Sequence, residues 1–261
     1  MKANKILRLR NTKHMLEVFI VLLTAILLFS SIMLWQDFSD MKKSEEDFAV
    51  LEKIAETTVS GSDDTSEISD TRKRNISALI EKNSDCVGWI CIPDTAVNYP
   101  VMHTPSEPQK YLRRNFYGEY SYAGVPFIDA RCELDSTNLI LYGHCMKNGT
   151  MFRSIRKYSD QNFLKNHPYI EFETEDGCGV YDAFTVVKNT TSCDWYDFIN
   201  AENREEYDKM IRNIKSKSIY DTGITPEYGD RLLTLSTCYG SSKDGRFLVI
   251  ATREAEQNGT V

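Results

Sequence analysis

No CxxC pair occurs in the 261 residues, and the one close spacing, Cys86 to Cys91, is a lone C-x4-C that fails as a zinc site. The cysteine count is seven, an odd number, whereas disulfide scaffolds show even counts in shorter chains. At least one thiol is therefore unpaired if all bonds are intramolecular, and most are expected to be buried, acting as small apolar side chains. Basic tracts are missing too. Beyond TRKR at 71–74 no Lys/Arg-rich patch stands out, and setting aside five leading cations leaves 26 basic residues against 38 acidic ones. That balance excludes nucleic acid as a partner and implies a solvated acidic surface. Internal repeats are absent, and there are only four histidines.

One long uncharged run is present, Val18 to Trp35, VFIVLLTAILLFSSIMLW. As a helix it spans roughly 27 Å, close to the ~30 Å hydrocarbon thickness of a bilayer. Lys2, Lys5, Arg8, Arg10 and Lys13 precede it, and Asp37 and Asp40 follow it. The charge bias predicts a cytoplasmic N-terminus and an extracellular remainder. A cleaved signal peptide is the rival, but the apolar run is long and no A-x-A-like site follows it. The expected division is residues 1–17 in the cytoplasm, 18–35 a single-pass anchor in the cell membrane, 36–70 helix and polar linker, and 71–261 the catalytic domain.

Phe48, Leu51, Ile54 and Ala55 recur at helical spacing between Asp40 and about Thr57. TTVSGSDDTSEISDT, 57–71, reads as an acidic linker, and a second helix is expected over about 71–83. Beyond it, about 180 residues suffice for one domain with a substantial core. That domain consists largely of short apolar runs: 87–92, 96–102, 125–129, 137–143, 169–174, 180–188, 231–237 and 246–252. Eight strand candidates separated by turn residues predict a mainly β sandwich or barrel. Tyr207, Met210, Ile211 and Ile214 mark one long amphipathic helix from about 201 to 217, between the sixth and seventh candidates. Short helices are expected at 152–158 and 160–165.

Cys238 ends the run RLLTLSTC and leads into the polar loop YGSSKDG. A cysteine ending a strand is ordinarily a core thiol, but this setting places it at a rim, and reactive thiols need partial exposure and a nearby cation. Arg246 supplies one: if 232–238 and 246–252 form an antiparallel hairpin, positions 238 and 246 are side by side. Of the histidines, His14 falls on the cytoplasmic side. His103 and His167 sit in turn-like polar segments where a solvated ring is the default, and His144 closes the apolar run LILYG. A thiolate nucleophile, an imidazolium proton donor and an oxyanion-holding guanidinium together suffice for acyl transfer.

TLSTC with a downstream GRF resembles the TLxTC…R signature of the sortases, the cysteine transpeptidases that attach proteins to Gram-positive cell walls. YGHCMKNGTMF resembles their histidine segment and WICIPDTAVNYPVM their early strand pair. The leading helices, the helix near 201–217 and KNHPYIEFET are similar to class B, and the likeness covers about 70 to 253. It implies an eight-stranded sortase barrel with N-terminal helices, a long helix between strands 6 and 7 and one transmembrane helix. It also implies catalytic roles for Cys238, His144 and Arg246, and substrate-groove roles for Tyr142, Ser236 and Leu112. The segment leading into the long helix, Thr190-Thr191-Ser192 and Trp195-Tyr196, offers hydroxyls and an indole N–H that suit a polar first residue of the substrate, with Thr191 and Tyr196 as the expected groove residues. Two positions depart from the pattern: Tyr239 follows the cysteine where some class B members have an acidic residue, and Cys145 follows His144. The implied reaction cleaves a surface protein's C-terminal sorting signal after Thr. The thioacyl-bound protein then passes to a peptidoglycan stem or cross-bridge amine, with no cofactor and no metal; the DxDxDG calcium loop is absent. The alternatives are a pilin polymerase using a pilin lysine as acceptor and an inactive membrane-tethered binding domain. A papain-like hydrolase is disfavoured, because there the cysteine precedes the histidine.

Overall fold

The computed structural model describes residues 2–56 and 74–254, excepting the side chains of 2–14 and 37. The acidic linker expected at 57–71 and the five leading cations' side chains lie outside that description. Two compact units are distinguished, 1–45 and 46–261. The first is helical, part of α1 (Lys2–Glu56), and its apolar side chains from Val18 to Trp35 are largely exposed. Among the described residues this is one helix long and apolar enough to cross a membrane.

In the second unit eight strands close into a barrel: β1 (Cys86–Cys91), β2 (Asn98–Met102), β3 (Phe127–Ile128), β4 (Asn138–Tyr142), β5 (Tyr169–Thr174), β6 (Gly177–Thr190), β7 (Arg231–Cys238) and β8 (Gly245–Arg253). The order around it is β1-β2-β3-β4-β7-β8-β6-β5, with β5 returning to β1. Closure leaves no free sheet edge. Two neighbours, β2/β3 and β4/β7, run parallel. Each expected strand is present, and the helix expected at 201–217 is α4 (Arg204–Ser216), capped by Asn203, whose side chain accepts from the Glu206 N–H. The short helices are a 3-10 turn (Ser154–Ser159) and α3 (Gln161–Asn166).

The helix expected over 71–83 is shorter: α2 is Ile76–Ile80. The Asn75 side chain accepts from the Ala78 N–H and fixes its start. At the other end, the Asn83 amide donates to the Tyr111 hydroxyl at 2.8 Å, and its carbonyl accepts from the Asp85 N–H at 3.0 Å. Those bonds commit residue 83 to the turn into β1. Leu51 and Ala55 at the end of α1 are buried with Ile76, Leu79, Trp89 and Phe116 in one core cluster. The expected apolar stripe of that helix is therefore spent on the barrel.

β7 lies between β4 and β8, and residues 232–237 are all buried, so amphipathic alternation is hidden. One face looks outward beneath the β6–α4 connection: the Trp195 indole N–H donates to Thr234 Oγ1 at 3.0 Å, and Thr234 donates to the Asn138 side-chain carbonyl at 2.7 Å. The Asn138 amide in turn donates to the Phe198 carbonyl at 2.8 Å. This buried polar chain clamps residues 195–198 over β4 and β7.

Candidate active site

Side chains two apart on a strand share a face. Ser236 meets the β6–α4 connection through a 2.7 Å hydrogen bond with the Tyr196 hydroxyl, so Cys238, two residues on, is delivered to the same side. Opposite it in the β7/β8 ladder stands Arg246. This is the side-by-side placement the hairpin reading required. Gly245 permits the tight return, since a Cβ there would overlap the Tyr239 carbonyl. In the parallel β4/β7 pair Tyr142 opposes Ser236, and the next two residues carry the chain on to His144. That continuation is locked: the Gly143 N–H donates to the Ser236 carbonyl at 3.1 Å, and Thr237 Oγ1 donates to the Gly143 carbonyl at 2.7 Å.

Cys238 is the exposed member of seven free cysteines; Cys86, Cys132 and Cys193 are buried, and Cys91, Cys145 and Cys178 half-buried. His144 Nε2 lies 2.8 Å from the Leu112 carbonyl. A carbonyl can only accept, so Nε2 carries the proton and the neutral ring keeps its lone pair on Nδ1. Burial lowers the His144 pKa from its ordinary value and nearby Arg113 adds to this, while the Leu112 carbonyl works the other way. Gly124, with φ +61°, allows that backing turn to pack, since a Cβ would sit 2.5 Å from the Tyr111 carbonyl oxygen. Arg246 Nη1 donates to the Lys243 and Gly245 carbonyls, each at 2.9 Å. Its own loop therefore holds the guanidinium.

A cavity of about 650 Å³ is lined by Cys238, His144 and Arg246 together with Leu112, Tyr142, Thr191, Tyr196 and Ser236. All eight residues singled out from the sequence thus face one space. His103 differs from expectation. It is half-buried rather than solvated, its Nε2 has no hydrogen-bond partner among the described residues, and its backbone N–H donates to the Asp85 carbonyl at 2.8 Å. His167 caps α3, with Nδ1 3.1 Å from the Pro93 carbonyl.

The sequence reading missed Asp129 and Arg131, which also line the cavity. Arg131 donates to both Asp129 carboxylate oxygens at 2.9 and 2.8 Å and to the Tyr196 carbonyl at 2.8 Å, and Asp129 accepts from the Tyr142 hydroxyl at 2.8 Å. One ion pair thus ties together two aromatic walls whose rings stack 6.1 Å apart. Burial works to raise the Asp129 pKa, but hydrogen bonds from Arg131 and Tyr142 outweigh it and hold the carboxyl below its usual range. Burial pushes the Tyr196 phenol up to about 12. The available signal was an acid and a base two apart, directly after the strand VPFI.

Comparison with known proteins shows the family. The sortase domain model matches residues 90–254. The chain is 34% identical to sortase B of Listeria monocytogenes over 194 residues, 73% of this chain and 74% of that one. It is 35% identical to sortase B of Staphylococcus aureus over 178 residues, 67% of this chain and 72% of that one. A crystal structure of sortase B from Bacillus anthracis in complex with AAEK1 superposes with a TM-score of 0.71 at 31% identity, covering 84% of this chain and 99% of that one.

Proposed function

This chain belongs to the sortase family as a sortase B-type cysteine transpeptidase, and from that premise we propose that Cys238, His144 and Arg246 carry its reaction. The observation supporting the assignment is the ladder register: Cys238 opposite Arg246, with His144 at the end of the adjoining strand and all three on one cavity. The Cys238 thiolate attacks the threonine carbonyl of a sorting signal. Arg246 holds the oxyanion with guanidinium donors other than Nη1, which is engaged by its loop. His144 as imidazolium protonates the departing amine, leaving a thioacyl enzyme. A peptidoglycan amine then attacks that thioester carbonyl, His144 takes the amine's proton, and the thiolate leaves. Because burial disfavours the imidazolium, the thiolate–imidazolium pair is a minority microstate at neutral pH.

Tyr142, Ser236, Leu112, Thr191 and Tyr196 form the groove for the sorting peptide. The class B resemblance implies a sorting pentapeptide of the form Asn/Ser/Pro-Pro-x-Thr-Gly/Asn/Ser, and the hydroxyls of the Thr190–Ser192 segment suit Asn or Ser at its first position. Val18–Trp35 serves as the retained anchor, with residues 1–17 cytoplasmic and the catalytic unit extracellular. The test is incubation of the full-length protein in detergent micelles with a panel of sorting peptides, with and without an amine. Amine-dependent product is expected; cleavage indifferent to amine would make it a hydrolase, and no cleavage would remove the assignment.

A further inference from the structure

Asp129 uses its whole hydrogen-bonding capacity inside the protein. Oδ1 accepts from the Arg131 backbone N–H at 3.0 Å and from Arg131 Nε at 2.9 Å. Oδ2 accepts from Arg131 Nη2 and from the Tyr142 hydroxyl, each at 2.8 Å. Two donors per oxygen fill the lone pairs of a carboxylate. Asp129 lines the cavity, yet it has nothing left to offer a substrate directly; its effect is on its neighbours. Arg131 Nη2 also donates to the Tyr196 carbonyl at 2.8 Å, while the Tyr196 hydroxyl pairs with Ser236, which stands opposite Tyr142 in the β4/β7 ladder. The contacts thus return to Tyr142, and both tyrosines are fixed. The Tyr142 ring sits between Phe127 and Tyr196, at centroid distances of 5.6 and 6.1 Å. Phe127 opposes Tyr142 in the β3/β4 pair, and Asp129, two residues on, shares that face. An ionised carboxylate can only accept, so the Tyr142 proton is committed to Asp129. The remaining capacity of that hydroxyl is an acceptor's.

We propose that Asp129, held by Arg131, is a specificity-setting positioning residue: it presents the Tyr142 oxygen to the groove as an acceptor that selects a hydrogen-bond donor on the first residue of the sorting peptide. This rests on the acyl-transfer reading above and deepens it. Tyr196 is the groove residue expected at that position, and Tyr142 is stacked against it. A first residue with an N–H or O–H completes the Tyr142 oxygen. An acceptor-only side chain of similar size faces that oxygen with another lone pair and leaves both unpaired in a half-buried groove. The wall therefore reads the direction of a hydrogen bond as well as polarity.

Three sorting peptides that differ only at the first residue, Ser, O-methylserine and Ala, separate a donor from mere polarity. Their kcat/KM values are measured with full-length protein in micelles. Wild type is expected to favour Ser over O-methylserine by about tenfold. Asp129→Asn puts an amide N–H where Oδ2 accepted from Tyr142, so the phenol proton turns to the groove. Ser, both donor and acceptor, then loses little, O-methylserine gains a partner, and their ratio should fall at least about fivefold. A merely structural role for Asp129 would lower all three peptides together and leave the ratio as it was. Near parity in wild type, or a ratio unmoved by Asp129→Asn, overturns the proposal. Should that variant fail to fold, Tyr142→Phe decides: parity between Ser and O-methylserine supports the proposal, and a surviving preference refutes it. Titration of Cys238→Ala protein with the same peptides measures affinity without cleavage. If wild type cleaves no sorting peptide, the proposed function fails, and this titration alone decides the wall: tighter binding of Ser than of O-methylserine supports it, and equal affinities refute it.

Discussion

Gly143→Ala tests how the fold aims His144. A Cβ at residue 143 would lie 2.6 Å from both Cδ2 and Cγ of Phe152 and 2.9 Å from Cδ1. Ordinary contact begins near 3.4 Å, so the ring must retreat by most of an ångström. Phe152 is fully buried and has nowhere to rotate, and its N–H donates to the His144 carbonyl at 2.9 Å. Displacement of the ring is therefore transmitted to the histidine backbone. Overpacking of this kind costs about 2 kcal/mol. For a domain of this size that lowers Tm by roughly 4–8 °C. Misplacing the imidazole by ~1 Å is expected to cut kcat/KM by about 100-fold. Phe152→Leu makes room, so the double substitution should recover at least ~1 kcal/mol relative to the sum of the singles. Thermal unfolding and kcat/KM on a sorting peptide, over the four proteins of the cycle, measure both effects. A Gly143→Ala protein melting within a degree of wild type, with activity within twofold, would refute the reasoning.

Cys238→Ala should abolish cleavage with the melting temperature preserved, because the thiol is exposed; turnover above a few per cent would remove it as nucleophile. Arg246→Lys keeps the charge but loses the planar fork, and His144→Ala loses the proton carrier; both should lower kcat/KM by at least about 100-fold, and near-wild-type values would sink either role. Burial lowers the pKa of both His103 and His144, so the unfolded chain binds protons first as pH falls below ~6.5. Stability from these two rings is present above that pH and declines below it; replacing both with Gln should flatten Tm between pH 7.5 and 5.5, and an unchanged slope would contradict the assignment. Peptides beginning with Asn or Ser should exceed a Leu-first LPxTG series in kcat/KM, and the reverse order ends the class B substrate reading without touching the catalytic three. Protease added to protoplasts should digest the catalytic unit, and full protection would reverse the topology.

The strand pattern was legible because each of the eight runs is apolar enough to be buried and is bounded by turn residues; local periodicity needs no partner. Cys238 and Arg246 were legible for the same local reason, as a hairpin's loop length fixes which positions oppose. The anchor-like helix followed from composition alone. Tertiary structure decided the rest. His144 reaches the site through the parallel β4/β7 pairing, which joins segments over ninety residues apart, and its tautomer depends on the Leu112 carbonyl from a third segment. Asp129 and Arg131 carried no sequence signal of a role at the site, because their partners Tyr142 and Tyr196 come from distant segments. The ending of α2 was set by Asn83, whose amide is held by the distant Tyr111 hydroxyl and Phe116 carbonyl, and the burial of His103 by its tertiary surroundings. Sequence specified which groups stood at strand ends; long-range packing chose their neighbours, and with them their charge states.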